Sequence, residues 1–187
     1  MNIHGKRVVL RAIEEYDLPQ LHKWANDPDI WYLLGGWHFP GSMEYQKKWF
    51  ASLQSDHLNQ RFAIEAPDVG LIGTANLVEI DWKNNHAIHG MMLGDKEIRG
   101  KGYGTDTIMA VMRYAFEELH MERLNSGMIE YNQVSLKVYC MKCGWKEEGR
   151  RRRWYFRKNR YWDMIIVGVT RDDYFELVEQ NKYWDSP

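Results

Sequence analysis

Cysteine is scarce in this 187-residue chain, which has only Cys140 and Cys143. Two thiols so close in sequence make no disulfide framework. A C-x-x-C pair without a second ligand pair is no zinc or redox signature, so no metal is expected. Net charge is sparse too, at −1, which argues against bulk attraction to nucleic acid or to an acidic membrane. No apolar run approaches the length of a membrane span, and Met1 to Ile13 lacks a signal-peptide core. Repeats, linkers and low-complexity segments are missing as well. These absences leave one domain over residues 1–187, expected in the cytoplasm and long enough to bury a real core. What the chain has in excess is aromatic side chains, with 9 Trp and 11 Tyr. Such rings build a core or line a pocket for an apolar or cationic group.

The most informative stretch is Arg99-Gly100-Lys101-Gly102-Tyr103-Gly104-Thr105. It follows an apolar run, Ile88 to Leu93, and opens a helix that reads to about His120, with Ile108, Val111, Met112, Ala115 and Leu119 at helical spacing. Alternating glycines let the backbone approach a ligand that a Cβ would hold off. The free N–H groups of the first turn and the positive end of the helix dipole then make an anion site, to which Arg99 and Lys101 add charge. The expected guest is a phosphate, most simply a pyrophosphate. A dinucleotide fingerprint is excluded because Thr105 and Thr107 stand where its third glycine must fall, and a P-loop because no Gly-Lys-Ser/Thr closes the stretch.

The rest alternates cleanly. A strand over Arg7–Ile13 precedes a helix from Leu18 to about Asn26, with Asp17 a candidate N-cap and Asp27-Pro28 the stop. Trp31 to Gly41 reads as an aromatic loop, and Met43–Leu53 as a helix. Strands follow over 61–66, 71–80 and 86–93. After the glycine stretch and its helix come a strand over 123–130, a helix from Asn132 to about Lys142 with Gly144 as C-cap, strands over 145–156 and 161–169 about a Lys158-Asn159 turn, and a short last helix. This order predicts an α/β fold: one mixed, mostly antiparallel sheet of about seven strands with helices on both faces.

Arg99, Gly102 and Gly104 fill the pattern Arg/Gln-x-x-Gly-x-Gly/Ala, which resembles the acetyl-CoA signature of the GNAT acetyltransferases. Gly5-Lys-Arg-Val-Val-Leu-Arg11, Trp24-Ala-Asn-Asp-Pro28, Gly70-Leu-Ile-Gly-Thr74, Leu77-Val-Glu-Ile80 and Asn132-x-x-Ser135 with Gly144-Trp145 extend the resemblance over nearly the whole chain. They are similar to the branch holding ribosomal-protein N-terminal and bacterial spermidine acetyltransferases. The resemblance implies acetyl-CoA as co-substrate, an amine acceptor attacking directly in a ternary complex, and a strand that splays near the thioester. Coenzyme contacts then fall on Met91, Met92, Leu93, Arg99, Gly100, Lys101, Gly102, Tyr103, Gly104, Thr105, Asn132 and Ser135.

Counting seven residues from Asn132 puts the leaving-group acid at Tyr139, whereas counting back four from Gly144 gives Cys140; Tyr139 is the preferred assignment. The Glu of the family's Ala-Glu-Ile-Gly-Tyr run is missing from Ala87-Ile88-His89-Gly90-Met91, so Glu79 and Asp81, with His89 behind them, are the candidate bases. For the acceptor, Trp31, Tyr32, Trp37 and Phe39 suit a peptide α-amine or an amino sugar better than a polyamine, which wants a cluster of acids. The alternatives are a non-catalytic CoA-binding or regulatory module, and an RNA- or ribosome-associated protein using Arg150–Arg153 with Arg157 and Arg160. Packing of those arginines along a solvated hairpin is the simpler reading, and nucleic acid is not an expected partner. A homodimer or higher homo-oligomer fits the resemblance.

Overall fold

The computed structural model describes residues 1–36 and 39–185. Its strands are β1 (Ile3–His4), β2 (Val9–Ala12), β3 (Gln60–Ala66), β4 (Gly70–Asp81), β5 (His86–Leu93), β6 (Arg123–Ile129), β7 (Lys146–Arg157) and β8 (Arg160–Thr170). They form a sheet in the order β1-β2-β3-β4-β5-β6-β8-β7. Every pairing is antiparallel except β5–β6, which is parallel. The strand beyond the expected seven is β1, where Ile3 pairs with Leu10 and His4 with Val9.

The helices are α1 (Leu18–Ala25), α2 (Pro28–Leu33), α3 (Met43–Leu53), α4 (Tyr103–Arg113), α5 (Gln133–Leu136) and α6 (Arg171–Asn181). The pleat sorts them onto two faces, because neighbouring strand residues point opposite ways. Met92 joins Ile13, Leu18, Leu21, Trp24 and Ile30 under α1–α3. Met91 and Leu93, its neighbours, join Ile108, Met112, Phe116, Tyr139 and Trp145 under α4 and α5. Helix α4 is covered almost all round, with every residue from Asp106 to Met112 buried.

One sequence expectation is corrected here. The aromatic stretch is not all loop: Pro28–Leu33 forms α2, because Asp27 caps it by accepting from Asp29 N and Ile30 N while Pro28 sits at its first position. The turn at Lys158-Asn159 is tight, with both residues at positive φ, 49° and 59°, as a two-residue hairpin of this twist requires.

Candidate active site

The site begins with an interruption in the sheet. Strands β5 and β6 pair only through His86–Arg123, Ala87–Leu124 and Ile88–Asn125. β5 continues on β4 to Leu93, and β6 continues on β8 to Ile129, so the two diverge beyond that point. The backbone of 89–93 that faces the gap therefore has groups free to bond a ligand, which a continuous ladder would have consumed.

The glycine stretch closes one side of this gap. Gly102 is the N-cap of α4 at φ 88°, a conformation costly for any residue with a Cβ. Gly104 lies on the strand: a Cβ there would come 2.9 Å from Met91 Cε and 3.6 Å from Leu93 Cδ1, whereas one at Gly100 would meet open space. The first-turn N–H groups at Tyr103, Gly104 and Thr105 have no intrahelical acceptor; the first helical bond is Asp106 N to Gly102 O, 3.1 Å. This is a cradle for the phosphates of a coenzyme, and the residues present fit that group. Two neighbouring charges have other duties. Arg99 Nη2 donates to Gly94 O at 3.1 Å and Leu93 O at 3.4 Å, closing the end of β5. Asp106 would repel phosphate, but its carboxylate is turned away and buried. It accepts from Lys6 N (3.0 Å), Arg7 N (2.7 Å), Val8 N (3.0 Å) and Tyr183 Oη (2.7 Å).

These bonds carry Arg7 to the cradle, a residue the sequence reading passed over. Its guanidinium donates to Lys101 O and lies 4.9 Å from the centroid of Tyr103. An acid in the first turn of a phosphate-binding helix was the available signal, since it must be neutralised by some distant part of the chain.

At the apex of the gap three polar side chains share the α4–α5 face. Ser126 is the first β6 residue past the last β5 pairing. His89 is the first β5 residue past it. Tyr139 meets both: its ring lies 5.8 Å from that of His89 and edge-on to Trp145 at 4.9 Å, and its hydroxyl bonds Ser126. Burial raises the Tyr139 phenol above its ordinary value, so it stays protonated. His89 Nδ1 is 2.9 Å from Asn76 O. A carbonyl only accepts, so Nδ1 carries the proton and Nε2 is a bare acceptor, buried without a partner among the described residues. Burial lowers the His89 pKa to about 4.

The extra residue between Asn132 and Gly144 is taken up as a π-helical turn over Lys137–Lys142, with Cys143 N reaching back five residues to Val138 O at 3.1 Å. That turn directs Tyr139 inward and leaves Cys140 half-buried, with Cys143 inside and its pKa raised to about 12 by burial. Asn132 caps α5 by accepting from Ser135 N (3.2 Å) and donates to Leu33 O (3.3 Å). Its side chain therefore organises the chain, and Ser135 contributes its N–H to that cap.

Glu79 and Asp81 lie toward the β4–β5 turn, away from the Met91–Leu93 segment. Met91 pairs with Ala75, whereas Asp81 pairs with His86 at the opposite end of β4. Six strand residues separate the two places, roughly 20 Å. Between them and the rest of the strand the register shifts, at Val78 to Asp81, where Glu79 adopts φ 51°. Asp81 instead shapes the β4–β5 turn, accepting from Lys83 N (3.0 Å), Asn84 N (2.9 Å) and Asn84 Nδ2 (2.7 Å), which hold its pKa below the ordinary value.

The predicted acceptor residues divide. Trp31 and Phe39 border an open hollow of about 210 Å³ with Ala25, Asn26, Asp27, Pro28 and Pro40. Tyr32 faces the other way, stacked on Tyr131 at 4.5 Å, whose hydroxyl donates to Tyr32 O. Trp37 lies outside the described residues. The arginine run is engaged within its own hairpin, with Arg151 over Trp154 (4.8 Å), Arg153 over Tyr161 (4.9 Å) and Arg150 Nε on Glu147 (3.1 Å). Among the described residues no group of three or more His, Cys, Asp or Glu could hold a metal ion, and no helix is long and apolar enough to cross a membrane.

A family model described as an acetyltransferase (GNAT) domain matches residues 7–146. An uncharacterized SPbeta prophage-derived N-acetyltransferase, YokL, of Bacillus subtilis is 31% identical over 92% of this chain and 94% of its own. The spermidine N(1)-acetyltransferase of Vibrio cholerae is 26% identical over 94% and 99%. A crystal structure of spermidine N-acetyltransferase from Vibrio cholerae in complex with CoA and spermine superimposes with a TM-score of 0.84, at 24% identity over 91% of this chain and 99% of that one. The interrupted sheet, the glycine cradle beside it and these likenesses agree: the chain belongs to the GNAT family, N-acetyltransferases that draw their acetyl group from acetyl-CoA.

Proposed function

We propose that this enzyme acetylates a primary amine by direct attack in a ternary complex, and that its acceptor is an α-amine or an amino sugar rather than a polyamine. Acetyl-CoA supplies the activated acyl group. In this reading the backbone N–H groups along Met91–Leu93 polarise the carbonyl, the cradle from Gly100 to Thr105 with Lys101 and Arg7 takes the phosphates, and Tyr139 gives a proton to the departing sulfur. The polar apex at Ser126, His89 and Tyr139 supports that last role.

The observation that carries the acceptor class is the sign of charge beside α2. Arg157 lies 4.4 Å over Trp31, Lys158 4.3 Å over Tyr32, and Arg160 3.6 Å over Trp162. A polycation gains nothing there. Of the acids near that end, Asp27 is taken up as the cap of α2 and Asp29 is paired with Lys96 at 2.5 Å, while Glu79 and Asp81 lie toward the β4–β5 turn. Amine chemistry points the same way. Neutralising an amine of pKa about 10.4 at pH 7.5 costs about 4 kcal/mol, and an α-amine near 8 costs far less. Trp31, Phe39 and Trp37 remain the proposed acceptor contacts.

The test is acetyl-CoA consumption at pH 7.5 with a panel of peptide α-amines, amino sugars and polyamines. An α-amine or amino sugar should show the highest kcat/KM; spermidine turning over fastest would overturn the assignment. Self-association and a cytoplasmic setting belong to the same proposal. The Vibrio cholerae enzyme has also been solved as a dodecamer, and Trp154 and Phe156 are half-exposed on the edge strand β7. Light scattering reads the assembly.

A further inference from the structure

Arg157, the last residue of β7, is 5% exposed. Its Nη1 donates to Phe156 O at 2.9 Å and its Nη2 to Leu34 O at 3.2 Å, while the guanidinium carbon lies 4.4 Å over the Trp31 ring. Its Nε has no hydrogen-bond partner among the described residues. Among the described residues no carboxylate forms an ion pair with it, and residues 37 and 38, Trp and His, carry none in the sequence. Lys158 and Arg160 beside it only add positive charge. A guanidinium cannot shed its proton, so this charge persists when buried, and an unpaired buried charge is costly. Two carbonyls and an indole face meet part of that cost. A planar donor fork with two of its five N–H groups bonded, and with no counter-charge among the described residues, is the arrangement that a carboxylate completes.

The place is right for an acceptor. Arg157 bonds the carbonyl of Leu34, and Asn132 bonds that of Leu33. Consecutive carbonyls are about one residue step, 3.8 Å, apart. Asn132 in turn caps the helix whose seventh residue on is Tyr139, about 10 Å further at the helical rise. An amine at the β5–β6 gap and an anion at Arg157 are thus separated by the length of a short peptide. We infer that the acceptor amine carries a carboxylate, seated on Arg157 beside Trp31. This rests on the α-amine reading above and narrows it.

The experiment compares di- and tripeptides with a free C-terminal carboxylate against the same peptides amidated. The reacting α-amine stays near pKa 8 in both. With the wild-type enzyme the acid should exceed the amide about ten- to hundredfold in kcat/KM, through KM. Arg157→Gln should bring the ratio to about one, and Arg157→Lys should keep part of it. Each ratio is internal to one protein, so a less stable variant lowers both members together and leaves it unchanged. Equal turnover of acid and amide by the wild type, or a ratio that survives Arg157→Gln, overturns the carboxylate seat and leaves the α-amine reading standing. Spermidine outpacing every peptide overturns that reading, and the inference falls with it.

Discussion

Replacing His89 with asparagine should flatten the acid limb of the stability curve. The imidazole is fully buried, and its pKa falls from 6.5 to about 4 mainly because burial penalises the charged form. As pH drops, the unfolded chain takes up the proton first, near 6.5, while the folded protein resists until about 4. Stability that is complete above 6.5 is therefore lost progressively down to 4. At about 1.4 kcal/mol per pH unit the whole effect is about 3 kcal/mol, of which about 2.5 is spent between pH 7 and 4.5. Asparagine keeps an amide donor for the Asn76 carbonyl and has no proton to gain. It loses ring volume against Tyr139 and Trp145, so the variant starts roughly 1–2 kcal/mol less stable at pH 7. Urea unfolding by tryptophan fluorescence at pH 7, 6, 5 and 4.5 reads both proteins. The wild-type advantage should shrink by about 2.5 kcal/mol over that range, more than erasing the initial cost. Carboxylates such as Asp173, whose pKa is lowered most by Lys146 and Thr170, titrate in both proteins and cancel in the difference. Two stability curves that fall in parallel would refute the buried neutral imidazole.

Tyr139→Phe should lower kcat by about a hundredfold, as for a lost general acid, with the KM for acetyl-CoA little changed, while Cys140→Ala stays near wild type; the reverse pattern in steady-state kinetics would move the acid to the half-buried thiol. Gly104→Ala should raise the KM for acetyl-CoA at nearly unchanged Tm, because the atom its Cβ meets, Met91 Cε at 2.9 Å, is the free end of a flexible side chain; unchanged affinity by calorimetry would put the phosphates elsewhere. Gly102→Val should lose coenzyme binding and stability together, since it forces a β-branched residue to φ 88°. Asp106→Ala strips the acceptor from three backbone amides and the Tyr183 hydroxyl. It should cost at least about 3 kcal/mol, a fall in Tm of roughly 6–12 °C by calorimetry; a fall under about 2 °C would mean water replaces the carboxylate.

Local pattern and local chemistry were enough to read the order of strands and helices apart from β1 and α2, the glycine cradle at the start of α4 and the αL cap at Gly144. Each is specified within a few residues by periodicity, by a missing Cβ or by a cap. Even the extra residue before Gly144 was countable in the sequence, although its resolution as a π-helical turn that turns Tyr139 inward depended on Trp145 and His89 packing against it. Contacts between distant segments carried no such local signal. That Asp106 would be neutralised by amides some hundred residues away, and would bring Arg7 to the cradle, follows only from β1 and β2 docking beside α4. Glu79 and Asp81 are two apart on one strand in the sequence, but only the pairing of Asp81 with His86 places them toward the β4–β5 turn, away from Met91. Arg157 is the clearest case. In sequence it is one of six arginines on an exposed hairpin, and only the tertiary fold, laying that hairpin over the end of α2, buries its charge with no counter-ion among the described residues.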